Sequence, residues 1–435
     1  MIDDNLKNRI LRLIRREVVP AVGCTEPVAV ALAVARAAEL AATDRNAIAG
    51  IDCRLSANII KNAMGVGIPG TGMTGLPIAV ALGAIRGRSE NGLEVLGDVS
   101  ASDVADGRKM IERGIISVSL ASDADNVLYI DVTVNGADGR CGRSIISGGH
   151  TRFVYEESNG NIVLDSRGNN SADDGSDAPV DELNLRTVWD FAMTTPVDEL
   201  DFILETRRLN KLAAERAFMA EYGHRVGRTL HSERQRSIMG DSIFSRILSY
   251  TAAACDARMG GAPVAVMSNS GSGNQGIAAT MPVVVYAEEN YADHEQTVRA
   301  LILSHLTSIY IKQSLGRLSA LCGCVVATTG SAAGICYLMG GGYEQVAATV
   351  KNMAANLTGM ICDGAKPSCA FKLTSGVSTA VISAMVAMEG DVCTSLEGIV
   401  DESVDRTITN LTTIGREGMT QTDALILDIM TSKSK

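Results

Sequence analysis

The sequence predicts an α+β domain, a mixed sheet with helices, followed by an all-α domain. Strand-like alternation of apolar and polar residues is confined to the first half of the chain, whereas helical spacing prevails in the second half. The segment 169–179 between them is polar, acidic and contains Gly and Ser. A chain of 435 residues is also long for a single core. We therefore expect an α+β domain with N-terminal helices at 1–168 and an all-helical domain at 180–435.

Local patterns predict each element of the first half. Gly23-Cys24-Thr25-Glu26-Pro27 indicates a helix start, because a capping residue precedes a proline in the first turn. Asn159-Gly160 indicates a hairpin turn. The predicted helices are 6–19, 27–40, 76–85 and 104–112. The predicted strands lie within 48–60 and at 117–120, 128–134, 152–155 and 162–164.

Apolar positions at a spacing of 3.6 residues predict the helices of the second half. They are 183–195, 207–221, 298–313, 344–359, 373–389 and 403–429. The uncharged stretch 318–343 is long enough to span a bilayer, but its glycines and hydroxyl side chains favour a buried helix-turn-helix segment.

Charge and the N-terminal residues limit the class of partner. The net charge of −11 argues against nucleic acid and against an anionic membrane as partners. The first residues are acidic and then amphipathic, unlike an export signal, so we expect a cytoplasmic protein. Disulfides are not expected in that reducing compartment. The ten cysteines are then either core residues or ligands.

Four cysteines lie in contexts that a hydrophobic core does not require. Cys322 lies in Leu-Ser-Ala-Leu-Cys-Gly-Cys, Cys362 and Cys369 flank a polar, turn-prone segment, and Cys24 lies at the predicted helix start. Thiolates bind zinc or iron–sulfur clusters, and they also act as nucleophiles and bases. Paired C-x-x-C knuckles are absent, but spacing alone does not separate the two kinds of metal. Five cysteines are interpreted as core residues, and Cys324 stays open: Cys53, Cys141, Cys255, Cys336 and Cys393.

A glycine-rich loop at 268–276 is a candidate binding element. It matches G-x-G-x-x-G, but it lacks the βαβ units of a dinucleotide fold, which argues against a nicotinamide cofactor. Its neutral donors and exposed backbone N–H groups suit the carboxylate of a small zwitterion, although a solvated loop has the same composition. His150 follows a predicted strand and is a candidate ligand contact, although a lone histidine is more often structural.

Several longer motifs resemble one known family over essentially the whole chain. They include Gly23-Cys24-Thr25-Glu26-Pro27, Ser56-Ala-Asn58, Lys61-Asn62, Asp256-Ala-Arg-Met-Gly-Gly261, Met267-Ser-Asn-Ser-Gly-Ser-Gly-Asn-Gln-Gly276, Leu318-Ser-Ala-Leu-Cys322 and Met360-Ile-Cys-Asp-Gly-Ala365. Together they look like the iron–sulfur L-cysteine desulfidases, relatives of the iron–sulfur L-serine dehydratases. Cys255 departs from the pattern, where Ser or Ala is expected.

The resemblance implies a substrate-binding α+β domain and a helical domain that holds a [4Fe–4S] cluster. The cluster ligands would be Cys322, Cys362 and Cys369, leaving one iron open to the sulfur of L-cysteine. Cys24, kept as a thiolate by its helix start and a cationic site, would remove the α-proton. The candidate substrate contacts are Thr25, Asn58, Asn62, His150, Asn269, Ser270, Ser272, Asn274 and Gln275.

Three alternatives stay open at this point. L-serine dehydration would use the same site with hydroxide as the leaving group. A metal-carrying sensor or binding protein without turnover would need a partner surface, yet no exposed charge block or amphipathic tail is visible. A pyridoxal-phosphate enzyme would need a suitable lysine, and no context nominates one. The expected ligand is a small amino acid, and the chain is compatible with a homo-oligomer.

Overall fold

The computed structural model describes residues 2–124, 126, 128–167, 180–316 and 319–432. The predicted domain boundary at 169–179 lies outside these residues. The first half contains a sheet and the helices that cover it. Its helices are α1 Asp4–Glu17, α2 Thr25–Ala41, α3 Ala57–Ala63, α4 Leu76–Ile85 and α5 Ala101–Glu112, with 3-10 turns at Arg45–Ala47 and Ser89–Glu94. Its strands are β1 Pro20–Val22, β2 Ile48–Leu55, β3 Gly67–Ile68, β4 Met73–Thr74, β5 Ile116–Leu120, β6 Tyr129–Gly136, β7 Cys141–Ser147, β8 Phe153–Ser158 and β9 Asn161–Asp165.

Six strands form a mixed sheet in the order β5-β2-β6-β7-β8-β9. Strand β2 pairs in parallel with β5, and the other neighbours are antiparallel. Helix α2 lies against this sheet: the Ser144 hydroxyl donates to the Ala33 carbonyl at 2.8 Å. A Cβ at Gly142 would lie 2.1 Å from the Ala37 carbonyl oxygen, so only glycine allows this close approach. The predicted hairpin is present, with Asn159 and Gly160 both at positive φ.

The second half is helical apart from one short strand. Its elements are α6 Leu185–Thr194, α7 Val197–Leu200, α8 Leu204–Met219, α9 Val226–His231, α10 Glu233–Met239, α11 Ile243–Met259, β10 Ala265–Met267, α12 Gly273–Glu289, α13 His294–Leu315, α14 Gly323–Leu338, α15 Tyr343–Leu357, α16 Cys369–Met388, α17 Val404–Thr413 and α18 Thr420–Thr431, with a 3-10 turn at Asp201–Ile203 and a π-helical turn at Ile414–Gly418. Strand β10 pairs antiparallel with β1, which corrects the prediction of an all-helical second half in this detail. The predicted fold class, α+β followed by mostly helical structure, is confirmed.

Besides a small cluster of Ile145, Val154 and Tyr155, the described residues form two large hydrophobic cores. One lies under the sheet, and the other lies among the helices of the second half. The helix at each end of the chain packs into the core of the other half. Ile10 and Ile14 of α1 belong to the helical core, whereas Leu427 of α18 belongs to the core beside the sheet. An ion pair between the buried Lys61 of α3 and Asp423 of α18 also holds the C-terminal helix against the first half of the chain.

Helix α14 is the apolar segment that the sequence predicted to be buried, and it lies inside the helical core. Among the described residues, α16 alone is long and apolar enough to cross a membrane by length and composition. It packs against α11, α14 and α15, as a core helix does.

Candidate active site

A cavity of about 660 Å³ lies between the two cores, with residues from both in its wall. Cys24, Asn58, Lys61, Asn62 and His150 come from the first half of the chain. From the second half, the wall includes Arg258, Ser270, Ser272, Asn274, Gln275, Lys312, Cys322, Cys324, Cys362 and Cys369. The four cysteines singled out in the sequence therefore share one cavity.

The pairing of β1 with β10 holds Cys24 beside the loop at 268–272. Ser268 donates both its N–H and its hydroxyl to the Val19 carbonyl, at 2.8 and 2.7 Å, and the Ser270 N–H donates to the Glu17 carbonyl at 2.9 Å. Cys24 follows β1 directly and is the N-cap residue of α2. The loop that precedes α12 and the base candidate are thus held together by backbone hydrogen bonds, although they lie far apart in sequence.

The Cys24 thiol donates a hydrogen bond to the Glu26 carboxylate, with Sγ 2.9 Å from Oε2. Burial is the main cause that raises the pKa of Cys24, Glu26 raises it further, and Arg258 lowers it only in part. The expectation that the helix start keeps Cys24 as a thiolate is therefore wrong for the free protein, because desolvation outweighs the nearby positive charge. The resting pair is a thiol with a carboxylate beside it.

Backbone pairing brings Cys322 and Cys362 together. Leu321 and Ile361 form an isolated antiparallel bridge. The Cys322 N–H donates to the Met360 carbonyl at 2.9 Å, and the Cys362 N–H donates to the Ala320 carbonyl at 2.6 Å. Their thiols share a hydrogen bond, which lowers the pKa of Cys362 to about 6 despite its burial. The same hydrogen bond, together with burial, raises the pKa of Cys322.

Four helices begin at this cavity, which gives it a positive potential. Cys24 and Cys322 are the N-cap residues of α2 and α14, Cys369 is the first residue of α16, and Ser272 caps α12. Helix N-termini attract anions because their N–H groups are unpaired and their dipoles point the same way. Lys312 adds a buried amine, and burial lowers its pKa to about 8 although Cys362 and Cys322 oppose that change.

This donor set fits an iron–sulfur cluster in its chemistry. Two thiols at helix starts, Cys322 and Cys369, together with the Cys362 thiol and a buried lysine, suit an anionic group held by thiolates. Within the described ranges, no three His, Cys, Asp or Glu side chains are grouped tightly enough to hold a single metal ion. The predicted ligands thus line the cavity together without forming a closed site of the structural zinc type.

The glycine-rich loop is divided between the cavity wall and the core behind it. Ser270, Ser272, Asn274 and Gln275 lie in the wall, and the Gln275 Oε1 is buried without a hydrogen-bond partner in the described structure. Gln275 lies over Gly323 at the start of α14, where a Cβ would be 2.9 Å from its Cδ.

Two predicted substrate contacts need correction. Asn269 is fully buried, and its amide donates to the ring Nδ1 of His305 at 3.0 Å and to the His305 carbonyl at 3.2 Å. Thr25 is not among the lining residues, and its hydroxyl donates to Glu26 at 3.2 Å. Asn269 thus bonds to the core residue His305, and Thr25 supports Glu26 of the cavity wall without lining the cavity itself.

The remaining predicted contacts come from the first half of the chain. Asn58, Asn62 and His150 all line the cavity. The Asn58 Oδ1 is buried and has no hydrogen-bond partner among the described residues. A buried polar atom of this kind costs free energy unless a ligand or water satisfies it.

The site residues predicted from the sequence do not include the charged residues of the wall, which are Arg16, Glu17, Glu26, Lys61, Arg258, Lys312 and Lys372. A usable signal was present. Arg258 and Lys312 each lie in a helix whose other residues are mostly apolar or small, and such a helix is expected to be buried. Arg and Lys are almost never fully buried without a partner, so a charge there indicates a ligand or an ion pair.

Known proteins are similar to this chain over most of its length. A family model described as the serine dehydratase alpha chain matches residues 90–428. A protein named "UPF0597 protein" from Phocaeicola vulgatus is 59% identical over 428 residues, which covers 98% of each chain. Similar proteins of the same general name come from Bacteroides fragilis, 60% identical, and Bacteroides thetaiotaomicron, 59% identical, each over 427 residues and 98% of both chains.

Proposed function

The chain belongs to the serine dehydratase alpha-chain family, and from this premise we propose that it is an L-cysteine desulfidase. The family match confirms the predicted kinship with iron–sulfur serine dehydratases and supports a lyase. The observation that carries the finer proposal is that three ligand-type thiols and the Cys24–Glu26 pair line the same cavity. An iron held by thiolates would prefer a soft donor as its further ligand, and the sulfur of cysteine is softer than the hydroxyl of serine.

A [4Fe–4S] cluster is part of the proposal, with Cys322, Cys362 and Cys369 as its protein ligands. When bound, such a cluster supplies a Lewis-acidic iron that stabilises the leaving sulfur. The helix starts at Cys322 and Cys369 and the amine of Lys312 would compensate the negative charge of the thiolates.

The residues of the chain would carry the proton transfer. Glu26 is placed to accept the thiol proton of Cys24, and the resulting thiolate would remove the α-proton of the substrate. Breaking the Cβ–S bond releases sulfide and leaves 2-aminoacrylate, which takes up one water and yields pyruvate and ammonia. The overall reaction is L-cysteine plus water to hydrogen sulfide, ammonia and pyruvate, and it needs no oxidant or reductant.

Neutral donors of the wall would orient the substrate. Asn58 and Gln275 each present a buried, unpartnered oxygen that is suited to the ammonium group of an amino acid. The other residues proposed to contact the substrate are Asn62, His150, Ser270, Ser272 and Asn274.

The test compares L-cysteine with L-serine on one anaerobic preparation. We expect equal amounts of sulfide, ammonia and pyruvate from L-cysteine, and slower or no pyruvate from L-serine. Faster pyruvate formation from L-serine would move the protein to the second candidate, an L-serine dehydratase, which the description of the matching family favours. Bound metal without turnover of either amino acid would support a sensor or binding protein instead.

We also propose a cytoplasmic location. All ten cysteines are free thiols, which suits a reducing compartment. The acidic net charge leaves a small amino acid as the proposed ligand, and neither nucleic acid nor a membrane is proposed as a partner.

A further inference from the structure

Arg258 is a buried guanidinium without a countercharge. It lies near the end of α11, is 4% exposed and lines the cavity. Its Nε has no hydrogen-bond partner, and no carboxylate within the described ranges forms a salt bridge with it. Burying an unpaired cation is costly, so a site that keeps one is built for an anion.

The first residue of α12 leaves space for the Arg258 guanidinium, while the partial positive charge of this helix N-terminus makes burial of the guanidinium more costly. A Cβ at Gly273, the first residue of α12, would lie 2.2 Å from the Arg258 Nε, so the guanidinium packs directly on that backbone. A helix N-terminus carries partial positive charge. The guanidinium and the helix start therefore repel each other, and an anion bound beside both of them would relieve this repulsion.

The nearby carboxylates do not pair with Arg258. Asp256 accepts the Gly227 N–H at 2.9 Å through Oδ2 and has a buried Oδ1 without a partner, and Glu26 accepts the Cys24 thiol and the Thr25 hydroxyl. Within the described ranges neither carboxylate forms a salt bridge with the guanidinium, which leaves it free to bind the anion of a ligand.

The other two buried cations of the wall have different positions. Lys61 pairs with Asp423. The charge of Lys312 interacts with Cys322 and Cys362, whereas the charge of Arg258 interacts with Cys24 and with the core thiol of Cys255. The cavity thus has one buried cation beside two ligand-type thiols and another beside Cys24.

We propose that Arg258 is the carboxylate anchor of the site and limits its substrates to free α-amino acids. This inference rests on the proposed function. The guanidinium fork matches the two oxygens of a carboxylate. Binding there would place the α-carbon beside Cys24 and let the β-carbon and its sulfur point towards Cys322 and Cys362. The neutral loop at 268–276, which the sequence suggested for the carboxylate, then serves the remaining polar groups.

The test compares L-cysteine with L-cysteinamide, which lacks the carboxylate charge. In the wild type we expect kcat/KM to favour L-cysteine by on the order of 100-fold, as for a buried charged pair. Arg258→Met should lose most of this preference because its KM for L-cysteine rises. Its kcat/KM for L-cysteinamide should stay close to that of the wild type. Arg258→Lys should keep part of the preference. The control is Arg246→Met on the same helix, which removes an arginine paired with Glu289 outside the cavity.

A structural role for Arg258 predicts a different result. Both substrates would then lose the same factor, or the iron content would fall, and either outcome overturns the anchor. Gly273→Ala is a second variant, because its methyl group would displace the guanidinium without removing it. It should reduce the same preference, with Gly418→Ala as the control, since that glycine is exposed and has open space for a Cβ.

A binding experiment separates this inference from the proposed function. L-alanine and L-alaninamide lack a leaving group, so calorimetric titration of the anaerobic holoprotein reports the carboxylate contact without turnover. We expect the wild-type protein to bind L-alanine about 10-fold or more tightly than L-alaninamide, which is the order of magnitude of one buried charged contact. Arg258→Met should bind the two ligands equally. Equal affinities in the wild type would overturn the anchor even if sulfide is released. A preference without any sulfide release would overturn only the desulfidase proposal.

Discussion

Cys24 lines the cavity from the first half of the chain and donates its thiol hydrogen to Glu26, whereas the three proposed cluster ligands belong to the second half, so its sulfur can be removed without removing a proposed ligand. We expect Cys24→Ala to keep its iron and to lose turnover by roughly 100-fold or more, the usual effect of deleting a general base. Iron content and sulfide release from L-cysteine, measured on the same anaerobic sample, check this.

The matched control is Cys53→Ala, which removes a buried thiol of β2 outside the cavity wall. It should leave both iron content and turnover close to those of the wild type. Loss of iron in Cys24→Ala would make Cys24 a ligand and would require another base.

At the scale of single residues, type and context could be predicted from the sequence, but orientation could not. The polar context of Cys322, Cys362 and Cys369 separated them from the core cysteines. The amide of Asn269 has the same chemistry as that of Asn274, yet it points to His305 and away from the cavity. Protonation was equally hidden, because the desolvation of Cys24 depends on residues that are far away in sequence.

Helix α13 holds α12 and the loop before it through one buried side chain. The two ring nitrogens of His305 lie 3.0 Å from the Asn269 amide and 3.0 Å from the Thr280 hydroxyl of α12. The residue is fully buried, and burial lowers its pKa from 6.5 to about 3. The folded protein therefore keeps this histidine neutral at pH values where the unfolded chain protonates it.

This difference predicts how stability depends on pH. Below pH 6.5 the unfolded chain binds one more proton at His305 than the folded protein does, so its contribution to stability is present above pH 6.5 and is lost as the pH falls towards 3. One proton corresponds to a limiting slope of about 1.4 kcal/mol per pH unit. Urea unfolding at pH 7, 6 and 5 should show this slope in the wild type and a smaller one in His305→Gln. The surface variant His294→Gln is the control. Equal slopes in wild type and His305→Gln would contradict the assignment.

Elements with strong local signals were predicted well. Helix α4 has the predicted bounds, Leu76–Ile85, because its run is wholly apolar and begins after a glycine with proline in the first turn. Strands β1 and β10 have three residues each and were missed, since their pairing is non-local and too short for a periodic pattern. Helix α3 was read as strand because seven residues give little periodicity.

In the whole molecule, the site lies between two cores, and each core includes a terminal helix from the other half of the chain. Helix α1 packs into the helical core, α18 packs beside the sheet, and β1 pairs with β10 across the cavity. The order of α+β and helical parts was visible in the sequence. The packing of the two terminal helices could not be predicted, because the amphipathic face of α1 does not specify which core it joins.

The three proposed ligands come from two segments, before α14 and before α16, so a bound cluster would tie these segments together. A group that binds only the folded state stabilises it by mass action. We expect Cys322→Ser, Cys362→Ser and Cys369→Ser each to lose iron and sulfide, to lose the broad brown absorbance, and to melt several degrees lower than the anaerobic wild type. Cys393→Ser, at a cysteine outside the cavity, is the control.

Exposure of the wild type to air should reproduce the losses of the ligand variants, because three thiolates leave one iron of the proposed cluster open to oxidants. Stoichiometric zinc without brown absorbance in the anaerobic wild type would contradict the cluster, while the shared cavity of the three thiols would then have to be explained by a different metal.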